Sequence, residues 1–350
     1  MNSEARRPPP AAALARLLSL PLLVGCAAQP TAGAGQGEAP APARAVSLTL
    51  DNDIFAASDK HYTSGVRLAL ALPAPGALAD RAAASGLASD VGLVVGQQIF
   101  TPENLTSTEP VDDDRPYAGW LYAGIVLRLR GGDPWDLPGG RPVLDTFELD
   151  VGVVGPGSLA DTTQRAVHRA LGATEPAGWD HQVRHGPAFQ LSWLRRVSLA
   201  RWRLPLGLEA DLTPHAGATG GTVLCSARLG ATLRLGFGIP PDFGGFEDDG
   251  LALPLPLDGR GTAARRLGAW LVARADARAS FFDVLLENSP FRAAGHGVQR
   301  EPLVGTGQVG LMLAFDARVL FGYMHTVRTP EFKGQGGPDM FGSLFLQIAF

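Results

Sequence analysis

From residue 45 to residue 350 the chain alternates apolar and polar positions with a period of two, in runs of about ten residues separated by turn-rich stretches. Val46, Leu48 and Leu50 share one face of the first run, opposite Ser47, Thr49 and Asp51. Val66, Leu68, Leu70 and Leu72 oppose Gly65, Arg67, Ala69 and Ala71 in the second. In "WLVARADARASFF" Leu271, Ala273, Ala275, Ala277, Ala279 and Phe281 share a face, and Arg274, Asp276, Arg278 and Ser280 share the other. A row of charges inside a strand is ill suited to a dry core and natural on the wet inner wall of a membrane barrel.

Twelve such runs are read, over residues 45 to 56, 62 to 72, 91 to 100, 117 to 130, 143 to 154, 187 to 199, 202 to 213, 222 to 237, 268 to 282, 302 to 315, 317 to 328 and 340 to 350. The number is even, as in single-chain bacterial barrels. The last run, "MFGSLFLQIAF", carries Leu344, Leu346, Ile348 and Phe350 on one face. The predicted fold is therefore all-β, a transmembrane antiparallel β-barrel of about twelve strands. A soluble β-sandwich explains the alternation, but not the charged faces, the terminal aromatic strand and the export signal described below together.

One segment departs from this period. Over 158 to 173, Ala160, Val167, Ala170 and Leu171 recur at helical spacing, with Ser158 as candidate N-cap and Gly172 as stop. This predicts a single helix at the barrel mouth, between strands five and six. If the first strand runs outward, the connections after odd-numbered strands face outside. One rim then collects Asn52, Asp53, Asp59, His61, Thr63, Asp112, Asp113, Asp114 and His168. The connection after strand four, "GGDPWDLPGGRP", is a Gly/Pro loop with little chemistry.

Composition agrees with strands and turns: charged residues are 18%, apolar residues 45%, with 44 Gly and 28 Pro. A formal net charge of -4 gives no basic footprint for nucleic acid. Residues 1 to 25 read as a signal peptide, with Arg6 and Arg7 before the apolar "AALARLLSLPLLVG". "LVGC" resembles a lipobox ending at Cys26, and cleavage near Ala27 or Ala28 is the alternative. Residues 26 to 44 form an Ala/Pro/Gly tether that cannot bury a core, and 45 to 350 the barrel domain. With the leader removed, Cys225 has no partner for an intrachain disulfide unless Cys26 survives unmodified. No segment offers about eighteen uninterrupted apolar residues, which excludes an ordinary transmembrane helix and leaves a barrel open.

The rim residues suit two kinds of chemistry. Carboxylates, an Asn carbonyl and hydroxyls are hard oxygen donors of the kind calcium takes. Gln164 and His168, at i and i+4, share a helix face, where hydrogen bonds can orient the imidazole while its other nitrogen acts as a general base. Each residue also has a structural reading. Asp51, Asn52 and Asp53 can be a polar face entering a turn, His61 a solvated loop residue, the Asp112 to Asp114 run a wet loop anchored by Arg115 and Tyr117, and His168 a packing residue. Ser47, Ser64 and Ser192 lack a nucleophile-elbow context.

These residues fall in motifs that resemble a known family, the outer-membrane lipid A 3'-O-deacylases of the LpxR type. The resemblance rests on "DNDIF" and "DKHYTSGVRL" within 51 to 68, "GQQIFTP" at 96 to 102, "DDRPYAGWLYAG" at 113 to 124, and "ELDVGVVGPGS", "QRAVHRALGA" and "GWDHQ" within 148 to 182. It implies a bacterial outer-membrane location, a lipopolysaccharide substrate, a monomer, and a Ca2+ site between the barrel wall and an extracellular helix. By position, Asn52, Asp53 and Thr63 are the implied metal-site residues, and Gln164 and His168 the implied helix residues, with His168 activating water. Two departures stand out. Thr174 occupies the place of a Glu six positions after the His in the enterobacterial form, with Glu175 one step on. Nothing between Thr101 and Arg115 is basic, where that form has a Lys. Two rival expectations are a phospholipase-type esterase and a non-enzymatic channel or anchor.

Overall fold

The structure, a computed structural model, describes residues 44–56, 61–132, 142–240, 242–244, 267–287, 296–316 and 318–350. The leader with Cys26, nearly all of the tether, Asp59, Lys60 and most of the Gly/Pro connection after strand four lie outside the described residues.

The strands are β1 (Ala45–Asn52), β2 (His61–Pro73), β3 (Ala88–Thr101), β4 (Ala118–Gly132), β5 (Pro142–Val154), β6 (Gly186–Val197), β7 (Ala200–Arg203), β8 (Glu209–Gly221), β9 (Leu224–Phe237), β10 (Leu267–Asp283), β11 (Leu303–Phe315), β12 (Val319–Arg328) and β13 (Asp339–Ala349). Every pairing is antiparallel. Twelve of them close a barrel through β1 against β13 and β6 against β8. The thirteenth, β7, is a four-residue ribbon on the first residues of β8.

The run read over 202 to 213 is corrected here. The wall strand occupies 209–221, and Trp202 and Arg203 belong to the ribbon that precedes it. Period-two alternation marks extended backbone but not its partner, and a hairpin folded at a sheet edge alternates as a wall strand does. Two short helical segments have no signature in the alternation. Helix α1 (Gly76–Ala84) joins β2 to β3, and a single turn (Val284–Glu287) follows β10. The first is rich in alanine with one buried residue, so no apolar stripe announces it.

The two faces of the wall differ as the alternation predicts. Leu68, Ile125 and Leu229 stand 51%, 60% and 66% exposed on the outside, part of an apolar belt that only lipid can cover favourably. The inside is polar and filled. Arg67 donates two bonds of 2.8 and 2.9 Å to Glu148, Arg234 donates 2.9 and 2.7 Å bonds to Asp211, and His215 meets Asp276 at 2.6 Å. A cavity of about 70 Å³ lies among Arg115, Trp120, Arg228 and Glu331, enough for a few waters. Among the described residues the lumen is lined by an ionic network.

Loop residue Glu331 ties this network to the rim, with Arg278 Nη2 donating to it at 2.7 Å, Arg328 Nη1 donating at 3.5 Å and Arg115 forming an ion pair at 3.6 Å. Burial alone would raise its carboxyl, but Arg328, Arg278 and Arg115 pull it down to about 2. A depressed carboxylate contributes stability that is present above its ordinary value, about 4.3, and lost as pH falls toward the folded value. Glu331→Gln should therefore lower the temperature at which the barrel loses its compact electrophoretic form at pH 7. That deficit should vanish near pH 2, and an equal deficit at both pH values would contradict the charge account.

Candidate active site on the outer wall of the barrel

Helix α2 (Ala160–Leu171) follows β5 through a short 3-10 turn, Gly155–Ser158. Gly172, in the left-handed region at φ 68°, stops it as expected. The N-cap is Leu159 rather than Ser158, because the Ser158 hydroxyl is taken by the carbonyl of Gly155 at 2.6 Å.

The helix does not sit over the mouth; it lies against the outside of the wall. On β3, Leu93 and Val95 point to lipid, and Gln97, Ile99 and Thr101 continue the same face. Gln97 Nε2 donates 2.7 Å to the carbonyl of Ser158, and Ile99 packs with Leu105, Tyr117, Ala160 and Trp179. Gly119 on β4, paired with Ile99, supplies the close approach. A Cβ there would meet Ser158 Oγ at 2.2 Å and Ala160 Cβ at 2.3 Å. Gly119→Val should leave the barrel assembled but lift the N-terminal turn of α2. A misplacement of about 1 Å can cost on the order of 10²-fold in rate. Wild-type turnover in a folded Gly119→Val protein would show that the helix position is immaterial.

The helix buries Ala160, Gln164 and His168, three residues at four-residue spacing. A surface helix ordinarily turns apolar side chains inward, so a buried seam of amide and imidazole needs a chemical reason. The Gln164 Oε1 accepts the Trp179 indole N–H at 2.8 Å, and its Nε2 is buried with no hydrogen-bond partner among the described residues. His168 Nδ1 donates to the backbone carbonyl of Thr174 at 2.5 Å. That bond fixes the ring and leaves Nε2 as the basic nitrogen. The position where the resembled family carries a Glu thus acts here through its main chain.

The other candidates gather two and three strands away on the same outer face. Asn52 is in phase with Val46, Leu48 and Leu50, and so faces outward. It pairs with Ser64, Ser64 with Ile99, and Ile99 with Gly119. One row at one height therefore runs from Asn52 to the foot of α2 across three strand spacings, about 14 Å. Asn52 Oδ1 accepts the Ile54 N–H at 2.9 Å, opening the turn in which Asp53 is 1% exposed. A bulge between Tyr62 and Ser64 brings Thr63 to Thr101, hydroxyl to hydroxyl, at 2.7 Å. Thr101 ends the strand that carries Gln97 and Ile99 beneath the helix, and so links the two groups.

The remaining rim residues divide. Asp112 and Asp113 are exposed, whereas Asp114 is buried and accepts N–H bonds of 2.7 Å from both Glu103 and Arg115. Burial works upward on its carboxyl, but bonds from His61 and from those two amides hold it below the usual carboxylate range. His61, read as a loop residue in water, is instead 1% exposed. Trp179, Thr101, Gly119 and the Thr174 carbonyl were not singled out from the sequence as site residues. Trp179, Thr101 and Gly119 lie in quoted motifs, but nothing in one dimension assigns them partners.

The chemistry of the donor set fits calcium in kind. Asn52, Asp53 and Thr63 offer hard oxygens and no soft atom. Among the described residues no group of three or more His, Cys, Asp or Glu forms a metal cluster.

A family model described as outer membrane protein LpxR matches residues 17–350. The chain belongs to the LpxR family. The solved structure of LpxR from Salmonella typhimurium superposes with a TM-score of 0.70 at 19% identity, covering 87% of this chain and 99% of that one. It has the same barrel fold. The β domain of the Bordetella autotransporter BrkA (12% identity, 88% and 97% covered) and the KdgM porin (7% identity, 88% and 99% covered) reach only 0.41 and 0.34. A sequence search against curated proteins gave no match. As an LpxR-family barrel with an apolar belt, the protein resides in the bacterial outer membrane.

Proposed function

We propose that the protein is a calcium-dependent lipid A 3'-O-deacylase. The observation that carries this reading is the orientation of His168: Nδ1 is tied to the Thr174 carbonyl, so Nε2 is the free basic nitrogen of a buried polar seam. That seam lies on the outer wall, where the acyl chain of a membrane lipid reaches it sideways without leaving the bilayer.

In this mechanism the ester of the 3'-linked acyloxyacyl chain lies between α2 and the Asn52–Asp53 turn. His168 Nε2 takes a proton from water as the water oxygen attacks the acyl carbonyl, and later returns it to the leaving sugar oxygen. In this reading the Gln164 amide, held by Trp179 and with no partner for Nε2 among the described residues, donates to the developing oxyanion or to the attacking water. Asn52, Asp53 and Thr63 would hold Ca2+, which supplies Lewis-acid polarisation of the carbonyl. No protein nucleophile is needed. The missing loop Lys removes one cationic contact, which bears on the preferred phosphorylation pattern rather than on ester cleavage.

The test is to incubate the purified protein with lipid A and Ca2+ and follow product mass. A species shortened by the 3'-linked chain is expected. Release of fatty acid from glycerophospholipids instead would assign the site to a phospholipase. Unshortened lipid A with every Ca2+ concentration would end the reading.

A further inference from the structure

His61 is the first residue of β2 and one of six non-glycine residues among the described ones with positive φ, at 65°. A positive φ is uncommon for any residue with a side chain, though less so for histidine than for β-branched residues, and it persists where the surroundings hold it. What holds it is specific. Nδ1 bonds the Asp339 carboxylate, Nε2 lies 3.5 Å from Asp114, and the Phe332 ring meets the imidazole edge-on at 5.3 Å. Asp114 belongs to the loop after β3, Asp339 begins β13, and Phe332 lies between β12 and β13.

The register shows what this contact spans. Strand β1 runs between β2 and β13, and its last residue, Asn52, pairs with Ser64 on one side and Gly342 on the other. His61 and Asp339 each lie three residues beyond those partners. Two strands separated by a third are about 10 Å apart, yet here they touch. Their bond therefore crosses the end of β1, where the chain turns through Asp53–Ala56 against β13. Asp53, 1% exposed, is the first residue of that turn, and Thr63 lies two residues from His61 in the chain.

We infer that His61, clamped between Asp339 and Asp114 across the end of β1, is a positioning residue that holds the Asn52–Asp53 turn and Thr63 in their calcium-binding arrangement. The inference rests on the calcium reading above. Neither ring nitrogen reaches substrate in this arrangement; the residue acts through the backbone of its neighbours, as outer-shell partners of metal ligands do. Removing such partners typically costs about 10–100-fold in metal affinity.

Calcium titration by calorimetry of the purified, refolded barrel tests this without substrate, with heat-modifiable migration as the check of folding. His61→Ala is expected to weaken calcium binding by about tenfold or more. His61→Gln, whose amide can still donate to Asp339, should recover part of it. Should His61→Ala fail to fold, Asp339→Asn, which keeps His61 against Asp114, should still weaken binding measurably. A folded His61→Ala or Asp339→Asn protein that binds calcium as wild type does would overturn the inference and leave the calcium site standing. Wild-type protein that binds no calcium would overturn both.

Discussion

Replacing His168 with alanine is expected to lower ester hydrolysis by about 10²–10⁴-fold, the usual range for loss of a positioned general base. The fold should survive, because the barrel closes through strand pairings that do not involve α2. The geometry adds a sharper expectation. Since Nδ1 is bound by a main-chain carbonyl, the Thr174 side chain is dispensable for ring orientation. Thr174→Ala should therefore keep most of the wild-type rate, where loss of a Glu side chain doing the same task would not. Gln164→Leu should fall between, because it also frees the Trp179 indole N–H to lose its acceptor. Product mass against time for the three variants decides the matter: equal rates for His168→Ala and wild type would remove the residue from the chemistry.

The second large effect concerns the oxygen donors. Chelation should abolish turnover, and Ca2+ should restore it better than Mg2+. The smaller ion demands near-octahedral geometry and keeps its waters, which two side-chain oxygens and one carboxylate on a turn cannot replace. Asp53→Ala removes the one carboxylate assigned to the site and should raise the calcium requirement by about 10²-fold. Asn52→Ala should have a smaller effect, in part through the turn itself, whose Ile54 amide loses its acceptor. Full activity after exhaustive chelation would place the oxyanion stabilisation on protein groups alone, with Gln164 Nε2 the first to test.

The residues show where legibility ended. Alternation alone determined that Arg274, Asp276 and Arg278 face a wet interior and Leu271 and Phe281 face lipid, because side chains of a strand must point to opposite faces. It also located a helix within 158 to 173, since the break in period was flanked by a glycine able to take positive φ, although the helix begins two residues later, at Ala160. It misplaced one wall strand by several residues, because Trp202 and Arg203 alternate whether they line the wall or a ribbon. The motifs named Asn52, Asp53, Thr63, Gln164 and His168 as residues of one site, but not which strands and turns carry them to the outer face of the wall. Tertiary structure alone put the helix outside the wall rather than over the mouth, in close approach to the missing side chain at Gly119. It alone turned His61 from a loop residue into a buried clamp on Asp339, 278 positions away. The reason is the same in each case: periodicity reports which face a side chain takes, a local property of the backbone. Which strand, carbonyl or carboxylate it then meets is set by the closure of the barrel, which brings together residues that share no sequence neighbourhood.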